Sequence, residues 1–178
     1  SIGSMADYTL QEKEWIWLSS IEGIGTGGFN RLISTYKNAG EAIYQLKSDI
    51  SSHKFLKKLS HPKIKKGLDR SYIDNLMEKL NKHGIHAISQ VNKDYPESLK
   101  HIYAPPPVLY CIGNTKLLNH QRLFGFIGTR NPTKQGIDAA RMLATDLAKQ
   151  GVCIVSGMAR GIDTLANTAA VSEKGSTI

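Results

Sequence analysis

From Thr9 to Lys82 apolar residues recur at three- and four-residue steps: Leu10, Trp15 and Leu18, then Phe29, Leu32, Ile33 and Tyr36, then Glu41 to Leu46, then Ile73, Leu76, Met77 and Leu80. That spacing predicts several short helices. Ser60-His-Pro-Lys63 interrupts the pattern, because proline does not continue a helix interior. Ile85 to Ser89 predicts a short strand, and Tyr95-Pro96 with Ala104-Pro-Pro-Pro107 excludes regular helix and predicts a stiff, extended connector. Val108 to Ile112 predicts an edge strand leading into a second domain. Ser1 to Ser4, ahead of Met5, read as a cloning scar and are set aside.

In the last third the pattern changes. Leu123 to Ile127 and Val152 to Val155 are short apolar runs, each followed by small residues and then by helical spacing, so both predict buried strands. Thr133 is placed to cap the first helix, whose face is Ile137, Ala140, Ala144 and Leu147, with Leu143 beside it, and Gly151 stops it. A second helix is expected from Gly161 or Ile162 to Lys174-Gly175, and Ser176 to Ile178 would open a third strand. Three strands and two helices make half of a doubly wound parallel sheet, so the expectation is an α/β fold in a fragment of a longer protein, or one completed by a partner. The expected division is a scar at 1–4, a helical domain at 5–84, a connector with an edge strand at 85–120, and half of a doubly wound sheet domain at 121–178.

The 178 residues are 40% hydrophobic, enough for a packed core, and the formal net charge of +8 points toward a polyanionic partner. Lys54, Lys57, Lys58, Lys63, Lys65 and Lys66 form a basic cluster that reads either as a solvated face or as a nucleic-acid contact. Cys111 and Cys153 lie in apolar, strand-like contexts without metal spacing, which suits a reduced, cytoplasmic setting. No apolar run approaches the roughly 20 residues that cross a bilayer, so no membrane partner is expected. His53, His61, His83, His86, His101 and His120 are scattered, without ligand spacing or a matched nucleophile, so no metal and no catalytic residue is assigned.

The chemistry concentrates in the two strand-to-helix turns. Gly128, Thr129 and Arg130 follow the first strand, and Ser156, Gly157, Met158, Ala159, Arg160 and Gly161 follow the second. In an open α/β sheet such turns lie side by side where ligands bind. Glycine lets a ligand approach the backbone, helix N-termini offer free N–H groups to an anion, and an arginine fork holds a phosphate through two hydrogen bonds. Lys134 and Arg160 add charge to the same rim, and Asp163 is expected to fasten its loop at a helix start. Taken singly, the glycines are also explained as turn formers and Arg130 as a surface residue; their occurrence at equivalent places in two joints favours a phosphate site.

Ile21-Glu-Gly-Ile-Gly25 is a second anion candidate, similar to the hairpin of helix-hairpin-helix domains, and an ordinary glycine cap explains the same residues. The turns lack G-x-G-x-x-G with a downstream acid, which argues against NAD, and the chain has no Gly-Lys-Ser/Thr P-loop.

Phe126-Ile-Gly-Thr-Arg130 with Pro132 and Gly136, then Val155-Ser-Gly-Met-Ala-Arg-Gly-Ile-Asp163, Ala166 and Gly175-Ser-Thr-Ile178, resemble the core of the DNA-processing protein A family, also called DprA or Smf. The turn from Leu18 to Gly25, Tyr95-Pro-Glu-Ser-Leu99 and Pro106-Pro-Val-Leu-Tyr110 resemble that family's helical domain and joint. The resemblance implies a sterile-alpha-motif-like (SAM) domain followed by an extended Rossmann fold that binds single-stranded DNA. It further implies protection of incoming DNA and loading of the RecA recombinase in natural transformation, a homodimer in the full-length protein, no cofactor and no catalysis. The family's phosphate-binding loops fall on Gly128, Thr129 and Arg130 and on Ser156 to Gly161. Asn167 and Gln135 stand where the family commonly has His and Tyr. From a different class, related Rossmann-like folds include phosphoribohydrolases acting on nucleotides, but their Pro-Gly-Gly-x-Gly-Thr loop is not found here.

Overall fold

The computed structural model describes residues 8–112, 124–126, 153–156 and 162. The chain divides into two compact units, Ser1–Lys79 and Leu80–Ile178. It combines helices with a small sheet and is compatible with an α/β fold.

The first unit is helical, and two of its helix starts follow from side chains that accept from orphan backbone amides. Thr9 Oγ1 accepts from Glu12 N at 3.1 Å to open α1 (Leu10–Ser20), and Asn38 Oδ1 accepts from Glu41 N at 2.7 Å to open α3 (Ala39–Ser48). Between them α2 (Gly25–Tyr36) starts without a side-chain cap and ends at Lys37, whose φ of 70° is left-handed. Pro62 does not merely break the chain: it sits in the first turn of α4 (His61–Gly67), where its missing N–H costs nothing. Asp69 then accepts from Ser71 N at 3.0 Å ahead of α5 (Arg70–Lys82), and that backbone hydrogen bond is the main reason its carboxyl is held below the usual range.

The apolar stripes meet in one core. Ile16, Leu18, Phe29, Leu32, Leu46, Ile64 and Ile73 are buried, and Trp15 meets Phe29 edge to face at 5.2 Å. Two polar ties cross it: Trp17 Nε1 donates to Gly67 O at 2.6 Å, and Tyr72 OH donates to Ser20 O at 2.7 Å. Gly67 also packs closely against Ile21 at the end of α1: a Cβ there would lie 2.6 Å from Ile21 Cγ2 and 3.1 Å from its Cβ, and Ile21 is itself buried.

The second unit opens as α5 ends. Ile85 N donates to Leu80 O at 2.9 Å and Gly84 N to Asn81 O at 3.2 Å, with Gly84 at φ 64°, the paired bonds that close a helix and turn the chain outward. The chain then enters β1 (His86–Ser89), the short α6 (Glu97–Lys100), β2 (Val108–Ile112), β3 (Phe124–Phe126) and β4 (Cys153–Ser156). These strands form one sheet in the order β1-β2-β4-β3. β1 and β4 flank β2 antiparallel, and β3 runs parallel to β4.

One expectation is corrected here: β2 is not an edge strand but lies inside, between β1 and β4. The two apolar runs expected to form parallel strands, β3 and β4, do pair in parallel, and β1 and β2 add antiparallel strands to them because the segment between β1 and β2 returns to the end it left, so the described sheet is mixed. Its run Val-Leu-Tyr-Cys has no polar alternation, and all four residues are buried, as a strand covered on both faces requires. The helix and strand expected at 133–150 and 176–178 lie outside the described residues; Ile162, where a further helix was expected to start, has helical backbone and is buried.

Residues 90–107 are braced rather than free. Tyr95 is buried with Ile88, Leu109 and Cys111, and Leu99 packs against them. Its hydroxyl donates to Pro106 O at 2.7 Å, while Gln90 Nε2 donates to Pro105 O at 3.3 Å and Pro106 O at 3.1 Å, and Gln90 N donates to Pro107 O at 3.1 Å. Burial pushes the Tyr95 hydroxyl up from 10.0 to about 12, partly offset by a hydrogen bond with Gln90.

Two outcomes follow for stability. Gly67→Ala, forced against Ile21 while its carbonyl holds Trp17, should lower unfolding free energy by roughly 1–3 kcal/mol, and an unchanged urea midpoint would contradict the close approach. Tyr95→Phe should cost about 1 kcal/mol at neutral pH. Because the folded state holds the Tyr95 proton more tightly than the unfolded chain, the native contribution is intact below pH 10 and lost as pH rises from about 10 to about 12. The stability gap between parent and Tyr95→Phe should therefore narrow across that window; a gap independent of pH would show that Tyr95 is not held neutral by burial.

Candidate nucleic-acid interface

The pairing registers fix which strand ends share an edge. Phe126 lies opposite Val155 in the parallel pair, so the chain leaves β3 and β4 side by side in the same direction. Tyr110 lies opposite Ser156, and Val108 opposite Ser89, so the start of β2 and the end of β1 are at that same edge. One edge of the sheet thus receives the exits of β3 and β4 and both ends of segment 90–107. A single strand slipped or reversed would separate them.

Of the residues expected to bind phosphate, Ser156 is described, at the last position of β4. Gly128, Thr129, Arg130, Lys134, Gly157, Met158, Ala159, Arg160 and Gly161 lie outside the described residues. What the structure provides is the pair of strands that precede them in the chain. Reading the sequence missed segment 90–107 as a neighbour of this edge, since its prolines mark extended chain but not where that chain runs. Within it His101, Ile102, Tyr103 and Ala104 are exposed, with Tyr103 wholly so at 100%.

The first unit holds the second anion candidate. Gly23 and Gly25 both adopt positive φ, 101° and 68°. Packing accounts for Gly23, where a Cβ would stand 3.0 Å from Ser60 Cβ and 3.1 Å from Ile64 Cγ1. The space beside Gly25 and Gly27 is open, at the start of a helix without a side-chain cap. The contact with Ser60 and Ile64 brings the glycine turn against the basic segment, two features far apart in sequence. Lys54, Lys57, Lys58, Lys63, Lys65 and Lys66 are all exposed, Lys63 bridges to Glu22 at 3.3 Å, and Arg31 stacks over Phe55 at 5.3 Å. Uncapped amides beside lysines suit an anionic backbone rather than a neutral ligand.

No cluster of three or more metal-ligating side chains occurs among the described residues, and no described helix is long and apolar enough to cross a membrane.

The comparisons with known proteins converge on one family. Residues 86–178 match the family described as DNA recombination-mediator protein A. The chain is 43% identical over 95 residues to the DNA processing protein DprA of Bacillus subtilis, a match covering 53% of this chain and 32% of that protein. It is 29% identical over 180 aligned residues to Protein Smf of Synechocystis, covering 94% of this chain and 43% of that protein. Against the DNA processing protein DprA of Streptococcus pneumoniae it is 39% identical over 84 residues, 47% of this chain and 29% of that protein. The chain therefore spans less than half the length of these relatives. With the family match covering more than half of its residues, this chain belongs to the DNA recombination-mediator protein A family.

Proposed function

We propose that the chain is a non-enzymatic module that holds the sugar-phosphate backbone of single-stranded DNA on the two loops leaving β3 and β4. Gly128, Thr129 and Arg130 with Lys134 form one side of the cradle, and Ser156, Gly157, Met158, Ala159, Arg160 and Gly161 the other. In this reading the sheet unit is half of a Rossmann-like domain, and the helical unit is a SAM-like domain. The whole protein, a cytoplasmic homodimer, protects incoming DNA and helps load the RecA recombinase during natural transformation, with no cofactor.

One observation carries the reading: β3 and β4 are adjacent and parallel, which sends the chain out of both at one edge. The two segments, each with glycine and arginine, must meet if they are to grip one polyanion, and strands running in opposite directions would prevent it. The names of the relatives, DNA processing protein and recombination mediator, support a DNA ligand. The net charge of +8 favours association with any polyanion, so charge contributes affinity and the loops contribute placement.

Arg130→Ala in the intact protein should weaken binding of single-stranded oligonucleotides of every sequence about equally, by roughly ten- to a hundredfold if a charge-assisted contact is lost. The slope of log affinity against log salt should become shallower by about 0.7, the share of one phosphate contact on a single strand. Fluorescence anisotropy over a salt series measures both, and unchanged affinity and slope would contradict the assignment of Arg130.

A further inference from the structure

We propose that Tyr103 is a base-stacking platform for the strand whose backbone lies on the β3 and β4 loops. The proposal rests on the function proposed above for that edge. Four observations lead to it.

Segment 90–107 leaves the sheet at Ser89 and rejoins it at Val108, positions paired with each other at the edge where β3 and β4 end. The segment therefore starts and returns at the sheet end where β3 and β4 finish. Second, Tyr103 is completely exposed and Ile102 is 48% exposed, next to the exposed His101, so two rings and an aliphatic side chain that follow one another in sequence face water. Third, this group is not at the tip of a slack loop. Pro105, Pro106 and Pro107 follow directly, and all three of their carbonyls accept hydrogen bonds, from Gln90 and from the hydroxyl of buried Tyr95. Fourth, Ala104, between Tyr103 and the prolines, has a φ of 51°, a conformation that a non-glycine residue holds only when its surroundings impose it.

A solvent-facing ring on a backbone anchored close by, at Pro105 to Pro107, loses less freedom when a second ring stacks on it than one on a slack loop. A cradle that grips phosphates leaves the bases of a single strand unread, and every base has a π-face, so an aromatic residue at the rim adds affinity without sequence preference. Duplex DNA, whose bases are already stacked, gains nothing from the same ring. Tyr103 thus gives the edge a preference for single strands that phosphate contacts alone do not supply.

The test compares an oligothymidylate with an abasic oligomer of equal length, using the parent protein, Tyr103→Ala, Tyr103→Phe and Arg130→Ala. Tyr103→Ala should bind oligothymidylate about tenfold more weakly and the abasic oligomer as the parent does. Tyr103→Phe should stay close to the parent on both, because the ring and not the hydroxyl stacks. Arg130→Ala should lose affinity for both. If Tyr103→Ala matches the parent on oligothymidylate while Arg130→Ala is weakened, the stacking role is overturned and the backbone cradle stands. An equal loss on both oligomers would also overturn stacking, since it would mean that Tyr103 supports the fold or docks a protein surface instead. If neither substitution changes binding, or the parent binds neither oligomer, the reading of the edge itself fails and Tyr103 with it.

Discussion

The parallel pairing of Phe124, Gly125 and Phe126 with Cys153, Ile154 and Val155 is the constraint on which the proposed cradle depends. Neither strand carries a reactive group, and their contribution is direction. Parallel neighbours connected by a crossover deliver both C-terminal exits to one edge, which is why ligand sites of open α/β sheets gather there. The antiparallel pairing of β2 with the other side of β4 locks β4 from its second edge, so its exit cannot drift along the sheet. With β2 on one side and β3 on the other, β4 is held by hydrogen-bond ladders at both edges, so the chain leaves it at Ser156 from a fixed point.

Charge and direction do different work. Twenty-three lysines and arginines against fifteen carboxylates attract any polyanion, and the exposed lysines beside the Gly23 turn contribute to that general field. Attraction of this kind is screened by salt and does not distinguish one nucleic acid from another. Selectivity for single strands needs geometry: a backbone site of limited size and a surface that rewards an unstacked base. Both requirements point to the sheet edge rather than to the lysine face, because the braced segment 90–107 reaches that edge.

Much of the helical unit was legible in the sequence, since α1, α2, α3 and α5 follow apolar stripes whose period is local. Pro62 misled because the same residue that ends one helix can begin another, and only the next turn's packing decides which. The strands at 86–89, 108–112, 124–126 and 153–156 were also visible as short apolar runs. Their order was not. Whether Val108 to Ile112 lies at an edge or inside depends on which strands find it, a pairing between residues far apart in the chain. The glycines and arginines expected to bind phosphate were likewise identifiable from composition, whereas the return of segment 90–107 to the sheet end where β3 and β4 finish depends on pairing between distant residues, which no local pattern encodes.

Amide hydrogen exchange of the intact protein, with and without saturating oligothymidylate, tests most directly that the two loops act as one cradle. Binding should slow exchange together in residues 127–134 and 156–162, with one shared dependence on oligonucleotide concentration. Protection of one loop without the other, or protection confined to residues 54–66 of the lysine face, would contradict the account.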